Sequence, residues 1–235
     1  MKTSKPGRSL VTGGGRGLGL EFVRQLLQRG DTVLATARRP GRADALQRLA
    51  SEHPGRLHVL ALDVADSETF PAFQAAVASH VETLDLLINN AGALASGERF
   101  GQLREQDLLE AFRTNAVGPL LLTQALLPLL QPSATVLNIS SILGSIARTG
   151  AFYTPSYAIS KSALNMAGVL LSHALEDSGV RVLNLHPGWV RTDMGGAGAS
   201  LDKDDAVRSI LNTVDTLPKT ATGVFVDRNG SPLPW

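Results

Sequence analysis

Residues Thr12-Gly13-Gly14-Gly15-Arg16-Gly17-Leu18-Gly19 place a glycine-rich turn between a short apolar run and an amphipathic segment. Glycine is needed where the backbone reverses tightly, approaches a ligand closely and lets a helix pack on the strand before it. Free N–H groups at the start of that helix attract an anion such as a pyrophosphate. The strand before and the helix after turn a weak motif into a dinucleotide-binding turn. The chain is thereby constrained to βα units.

The rest of the 235-residue sequence follows the same rhythm. Short β-branched runs at 9–12, 32–37, 57–62, 84–89, 134–139, 180–186 and 223–226 read as strands. Longer amphipathic segments at 18–29, 41–52, 67–81, 104–130, 155–177 and 203–216 read as helices, with the apolar stretch 116–130 as a buried one. This alternation predicts an α/β fold, a doubly wound parallel sheet of about seven strands with helices on both faces. There is no internal repeat or long linker, so 1–235 is expected to be a single domain. The stretch Asp193-Met194-Gly195-Gly196-Ala197-Gly198-Ala199-Ser200 offers little to pack and opens a flexible loop over 193–203.

With 22 basic against 21 acidic residues the chain has no net field to draw it to nucleic acid or an anionic membrane. Small molecules are the expected partners. The basic N-terminus 1–9 leads into the glycine turn and not into a signal-peptide apolar core, so no export is implied. The stretch 116–130 is broken by Gly118, Pro119, Thr123, Gln124 and Pro128 and is too short to span a bilayer. There is no cysteine, which excludes disulfides and thiol chemistry and suits a reducing cytoplasm. No G-x-S-x-G pentapeptide is present, and His53, His58, His80, His173 and His186 lack metal-ligand spacing. Asn138-Ile139-Ser140 matches a glycosylation pattern inside an expected buried strand and is set aside.

The spacing TGxxxGxG resembles that of the short-chain dehydrogenase/reductase family, and further motifs follow in order. These are Asp63-Val64 after the third strand, Asn89-Asn90-Ala91-Gly92, Asn115, Ser141 with Gly144, Tyr157-x-x-x-Lys161, and Pro187-Gly188 with Val190 and Thr192. The resemblance implies a Rossmann-type fold and a nicotinamide cofactor bound by Thr12, Gly13, Gly15, Arg16, Gly17, Leu18 and Gly19. Asp63 and Val64 are implied at the adenine, Asn90, Ala91 and Gly92 along the cofactor, and Pro187, Gly188, Val190 and Thr192 at the nicotinamide end. The C-terminal residues 223–235 resemble the carbonyl-reductase-related branch that includes the C-factor signalling proteins. A cofactor-binding regulator of the same fold is therefore the alternative reading.

Strand two ends in Ala37-Arg38-Arg39, with no acid to grip the ribose hydroxyls of NAD. Arg38, with Arg16 in the turn, offers cations for a 2′-phosphate, and the expected cofactor is NADP(H).

Carbonyl reduction needs hydride at carbon and a proton at oxygen. A tyrosine acting near pH 7 must have its reference pKa of about 10 lowered by about 3, roughly 4 kcal/mol. Tyr157 and Lys161, four apart, share a helical face, so the lysine cation can supply part of this. Thr154-Pro155 suits an N-cap followed by a first helical residue and places Tyr157 in the first turn, where the helix dipole also favours an anion. Tyr157 is the expected acid/base, and it and Lys161 also contact the cofactor by the resemblance. Ser141, at a strand end, is positioned to bind the substrate oxygen and is preferred to Ser140 because Ser-x-x-Gly runs from Ser141 to Gly144. Asn115 is a poor choice inside an apolar helix, and the resemblance gives it a proton relay through water.

The expected activity is reduction of an aldehyde or ketone, or oxidation of the corresponding alcohol. By the resemblance the loop at 193–203 lies over the substrate, and helices 104–130 and 155–177 pair subunits into a homodimer or homotetramer. The C-terminal Trp235 is expected to pack at a dimer interface rather than to line the pocket.

Overall fold

Each strand alternates its side chains between two faces, so a strand covered on both faces must be apolar on both. Among the described residues, 7–235, the computed structural model shows seven such strands. They are β1 (Arg8–Val11), β2 (Thr32–Ala37), β3 (Leu57–Ala61), β4 (Leu84–Asn89), β5 (Leu130–Ile139), β6 (Arg181–His186) and β7 (Val224–Asp227). All neighbours are parallel, in the order β3-β2-β1-β4-β5-β6-β7. The first six residues of the basic N-terminal stretch lie outside the described residues.

One face of the sheet packs Leu10, Leu34, Leu87, Val136 and Val182 against α3 (Phe70–Ala78), α5 (Gly118–Leu126) and α6 (Pro155–Ala174). The other packs Val11, Val33, Ile88, Leu137 and Leu183 against α1 (Gly17–Gln28), α2 (Asp44–Glu52) and α7 (Lys203–Thr216). The Rossmann-type, doubly wound arrangement therefore stands as expected. Strand order reverses between β1 and β4, and the crevice beyond their carboxyl ends is where such sheets bind ligands.

The helix expected over 104–130 runs without a gap from 105 to 129 but changes type along its length. The chain forms α4 (Glu105–Phe112), a π-helical turn Arg113–Val117, α5, and a 3₁₀ turn Leu127–Leu129. Pro119 in the first turn of α5 has no N–H to continue the ladder. A Cβ on Gly118 would collide with the Val64 carbonyl, so close packing calls for glycine where the π-helical turn passes into α5. Leu130, expected in that helix, already pairs with Leu84, and β5 starts ahead of the expected residue 134. The segments expected to be helical from 41 and 67 open as 3₁₀ turns Pro40–Arg42 and Ser67–Thr69, and α6 stops at Ala174.

Asn89, Asn138 and Asn184 occupy equivalent register positions on β4, β5 and β6. The Asn89 amide donates to Asn138 (2.9 Å) and the Asn138 amide to Asn184 (3.0 Å). All three are buried. Asn138 is thus a rung of an interior ladder, as its place in a buried strand requires, because a buried amide must find partners.

Candidate active site

The glycine turn leaves the end of β1 with positive φ at Gly13 (68°) and Gly17 (56°), conformations that disfavour a side chain. A Cβ on Gly19 would lie 2.5 Å from the Asn90 amide nitrogen and would strike the Gly13 carbonyl. The turn is held by Thr12, whose hydroxyl accepts from the amides of Asn90 (2.9 Å) and Ala91 (3.0 Å), while the Asn90 side chain donates to the Thr12 carbonyl (2.8 Å). Thr12, Asn90 and Ala91 therefore lock the turn to the loop after β4. Gly15 and Leu18 complete the turn, and Leu18 packs on the second core. Arg16 precedes α1 in extended backbone and provides no side-chain cap. Gly17 and Gly19 in the first turn of α1 leave the helix start without Cβ atoms at two of its first three residues, a cradle that fits an anionic group.

Arg38 is exposed at the end of β2 and has no ion-pair partner among the described residues. Arg16 pairs instead with Asp193 (3.0 Å), both well exposed, which joins the turn to the loop after β6. Asp63 is exposed and accepts from the Ala65 amide (3.0 Å), while Val64 is buried beneath it. Gly188 has φ 86°, and a Cβ there would collide with Leu201. Pro187 precedes it, and Val190 bridges to Leu201. The Thr192 hydroxyl accepts from the Gly195 amide (3.1 Å), an ordinary turn contact, while its methyl group lies against Gly17. Gly92 lies beside Asn115 and the tip of Met194.

Ser141, Tyr157, Lys161 and Asn115 converge at the carboxyl end of β5. Pro155 is the first residue of α6, so Tyr157 stands in its first turn. Lys161 is buried, donates to the Ile139 carbonyl (2.6 Å) and lies 5.5 Å from the Tyr157 ring centre. The turn after Ser141 packs directly on the Lys161 backbone at Gly144, where a Cβ would meet it at 2.8 Å. Ser140 points elsewhere and donates to Asn165 (2.6 Å). Asn115 sits in the π-helical turn, fully buried. Its amide donates to the Ala93 carbonyl (2.8 Å) and to Ser160 (2.9 Å), and its oxygen accepts from the Ala93 amide (2.8 Å). Both of its donors are thereby used in holding α6 to the loop after β4.

A family model described as short chain dehydrogenase matches residues 8–201. The chain belongs to the short-chain dehydrogenase family. Among solved structures, the carbonyl reductase Sniffer of D. melanogaster is 36% identical, with a TM-score of 0.94 over 98% of this chain and 100% of that one. An NADPH-bound carbonyl reductase from chicken fatty liver is also 36% identical, with a TM-score of 0.92 over 99% and 100%. C-signal of Myxococcus xanthus is 40% identical over 154 residues, 65% of this chain and 93% of that protein.

In this short-chain dehydrogenase the electrostatics of the pair differ from what spacing predicts. Although part of the Tyr157 surface is open, burial of its surroundings pushes the phenol up to about 12, and only the Ser141 hydroxyl pulls it back. Burial pushes Lys161 down to about 7, so its positive charge is itself disfavoured. Burial therefore sets the direction of the phenol's shift in the protein alone.

Thr154 also departs from expectation. It precedes α6 in a left-handed conformation (φ 42°, ψ 57°) and caps nothing; its hydroxyl is buried without a partner. The cap comes from Glu98 on the loop after β4, whose carboxylate accepts from the Ser156 hydroxyl (2.8 Å) and amide (3.3 and 3.4 Å). Sequence reading passes over Glu98 because nothing local marks a partner 58 residues away. The asparagine ladder carries a faint signal, one polar residue near the end of each of three apolar strands.

Trp235 stacks on Phe225 with ring centres 5.6 Å apart, and its carbonyl accepts from the Ser145 hydroxyl and the Ala147 amide (2.8 Å). The C-terminal residues thus brace the segment between Ser141 and Tyr157. Among the described residues no cluster of potential metal ligands occurs, and no helix is long and apolar enough to cross a membrane.

Proposed function

We propose that this short-chain dehydrogenase reduces an aldehyde or ketone with NADPH, or oxidises the corresponding alcohol with NADP⁺. The observation that carries this is the convergence of Ser141, Tyr157 and Lys161 at the sheet edge, beside a glycine turn built to receive an anion. The turn 12–19, Asn90, Ala91, Gly92, Asp63, Val64, Pro187, Gly188, Val190 and Thr192 would hold the cofactor. Arg38 and Arg16 would favour a 2′-phosphate. When bound, the nicotinamide supplies hydride to, or takes it from, the substrate carbon.

The chain's own groups handle the oxygen. Ser141 orients it by hydrogen bonding, and Tyr157 donates a proton to it in reduction or accepts one in oxidation. A phenol held near 12 keeps its proton at neutral pH, which suits the acid role. Lys161, when protonated, stabilises the phenolate left behind. Asn115 holds Ser160 and the loop after β4 in place, and a water relay would use the region beside it. The loop 193–203 would cover the substrate. Apolar side chains exposed on α4 and α6, among them Leu109, Phe112, Met166 and Leu170, support pairing of subunits into a dimer or tetramer. A cysteine-free, cytoplasmic enzyme is the setting this reading assigns.

A second reading, a cofactor-binding signalling protein with incidental turnover, is favoured by the 40% identity with C-signal. Steady-state assays with NADPH and NADH against aromatic and aliphatic aldehydes and ketones separate the two. The expected result is faster consumption of NADPH, and Tyr157→Phe should lose at least about a hundredfold in kcat while binding NADPH normally. A wild-type protein that consumes neither cofactor supports the signalling reading. A variant that keeps its rate rejects Tyr157 as the acid.

A further inference from the structure

The loop following β4 is linked to the Tyr157 turn through Ala93 and through Glu98. Its residue Ala93 is bound on both backbone atoms by Asn115, which donates to Ser160 (2.9 Å), and the Ser160 hydroxyl donates to the Tyr157 carbonyl (2.8 Å). Further along, Glu98 accepts from the amide and hydroxyl of Ser156, the residue immediately before Tyr157. The same loop begins at Asn90 and Ala91, which Thr12 ties to the glycine turn. Beyond Glu98, Phe100 packs edge-to-face on Phe152 with ring centres 5.6 Å apart, a further contact between this loop and the segment leading into α6.

The start of α6 cannot secure itself. Pro155 has no N–H, and Thr154 is a β-branched residue in the left-handed region with an unpartnered hydroxyl. A conformation of that kind persists only where its surroundings fix it. The first free amide of the helix is that of Ser156, and a carboxylate at this position both satisfies it and suits the positive end of the helix dipole.

We infer that Glu98 is a positioning residue for the reaction: its carboxylate fixes the first turn of α6, and with it Tyr157, relative to the cofactor turn. This rests on the reading of Tyr157 as acid/base. Glu98 touches neither the phenol nor the glycine turn and acts through Ser156. Its effect belongs to kcat, because a tyrosine displaced by a fraction of an ångström still leaves the cofactor cradle intact.

The test compares Glu98→Ala with Glu98→Gln, whose amide oxygen still accepts from Ser156. Hydrogen–deuterium exchange over 152–160 reads the turn, NADPH fluorescence reads cofactor affinity, and turnover of para-nitrobenzaldehyde with NADPH reads the chemistry. Glu98→Ala should speed exchange in this segment and lower kcat about tenfold with NADPH affinity unchanged within about twofold, the scale of a lost helix cap. Glu98→Gln should restore both to within about threefold of wild type. Unchanged exchange in Glu98→Ala, equal losses in the two variants, or a parallel fall in NADPH affinity overturns the inference. Should Glu98→Ala not fold, Ser156→Ala removes the hydroxyl arm alone, and unchanged exchange and kcat there overturn it equally. If Tyr157→Phe keeps its rate, the acid/base reading fails, while the exchange data still decide whether Glu98 fixes the turn.

Discussion

Two helices begin at the carboxyl edge of the sheet, and they begin differently. At α1 the preceding residue, Arg16, is extended and caps nothing, the first turn holds no acid, and Gly17 and Gly19 keep the amides uncovered. At α6 the preceding residue, Thr154, also caps nothing, but a carboxylate from the loop after β4 takes its place. Both helix ends carry partial positive charge. On the reading proposed above, one leaves it for a ligand's anion and the other uses it to fix the turn that carries Tyr157. If that reading holds, a binding end and a chemical end share one sheet edge, and each should break alone.

The largest effect is expected at the chemical end. Moving a buried lysine from 10.5 to about 7 corresponds to an opposing free energy on the order of 5 kcal/mol. Lys161→Met removes that burden along with the charge, so the variant should be inactive yet melt at a higher temperature. The sign follows from proton binding. Between about pH 7 and 10.5 the unfolded lysine holds a proton that the folded one has lost, so wild-type stability rises with pH across this window. Tyr157, raised from 10.0 to about 12, acts oppositely and removes stability from pH 10 upward. The melting difference between variant and wild type should therefore be greatest below pH 7 and shrink towards pH 10. Calorimetry showing a pH-independent difference would contradict a lysine held down by burial.

The binding end breaks at Gly19. A methyl group there meets the Gly13 carbonyl and the Asn90 amide, so the turn and the loop after β4 cannot both keep their places. Gly19→Ala is expected to weaken NADPH by about a hundredfold or more, read by fluorescence titration, since uncompensated overpacking costs about 1–3 kcal/mol before any loss of ligand contacts. Exchange at the start of α6 should change far less, because Glu98 and Ser156 are untouched. Equal disturbance at both ends would show that they are a single cooperative unit.

Most of this frame was legible beforehand. Strands such as Thr32–Ala37 and Leu84–Asn89 match their expected ranges because β-branched and apolar runs bounded by turn residues have little alternative. The glycine turn and the Tyr157–Lys161 spacing are equally local. What could not be read is set by contacts across the fold. The run from Leu120 to Leu130 continues a helical apolar pattern, and only pairing of Leu130 with Leu84 turns its end into strand. Thr154 is left-handed although nothing in its residue type marks it so, and the capping role expected of it falls to Glu98, distant in sequence. The asparagine ladder exists only once strand register is known, and the direction of the Tyr157 shift only once its burial is.

Cofactor choice sharpens the binding end. Arg38 lacks an ion-pair partner among the described residues, whereas a helix start crowded with cations is unfavourable unless an anion neutralises it. Arg38→Asp should weaken NADPH about thirtyfold while leaving NADH within about threefold, the scale of a lost charge-assisted hydrogen bond. Unchanged discrimination between the two cofactors would remove Arg38 from the site.

The smallest effect tests whether the open end is partly guarded. Arg16 is held at 3.0 Å by Asp193, and both side chains are more than two-thirds exposed (78% and 75%). A pair this wet is weak, so a phosphate reaching Arg16 can displace the carboxylate, but the competition is not free. Asp193→Asn removes the competitor and keeps the shape of the loop. NADPH should bind up to about fivefold more tightly in this variant, with the gain fading as salt screens the pair in the wild type. Because NADH brings no 2′-phosphate to Arg16, its affinity should hardly move. An equal gain for both cofactors would mean that Asp193 acts through the loop at 193–203 and not through Arg16. Weaker NADPH binding would mean that the ion pair closes over the cofactor and does not compete with it.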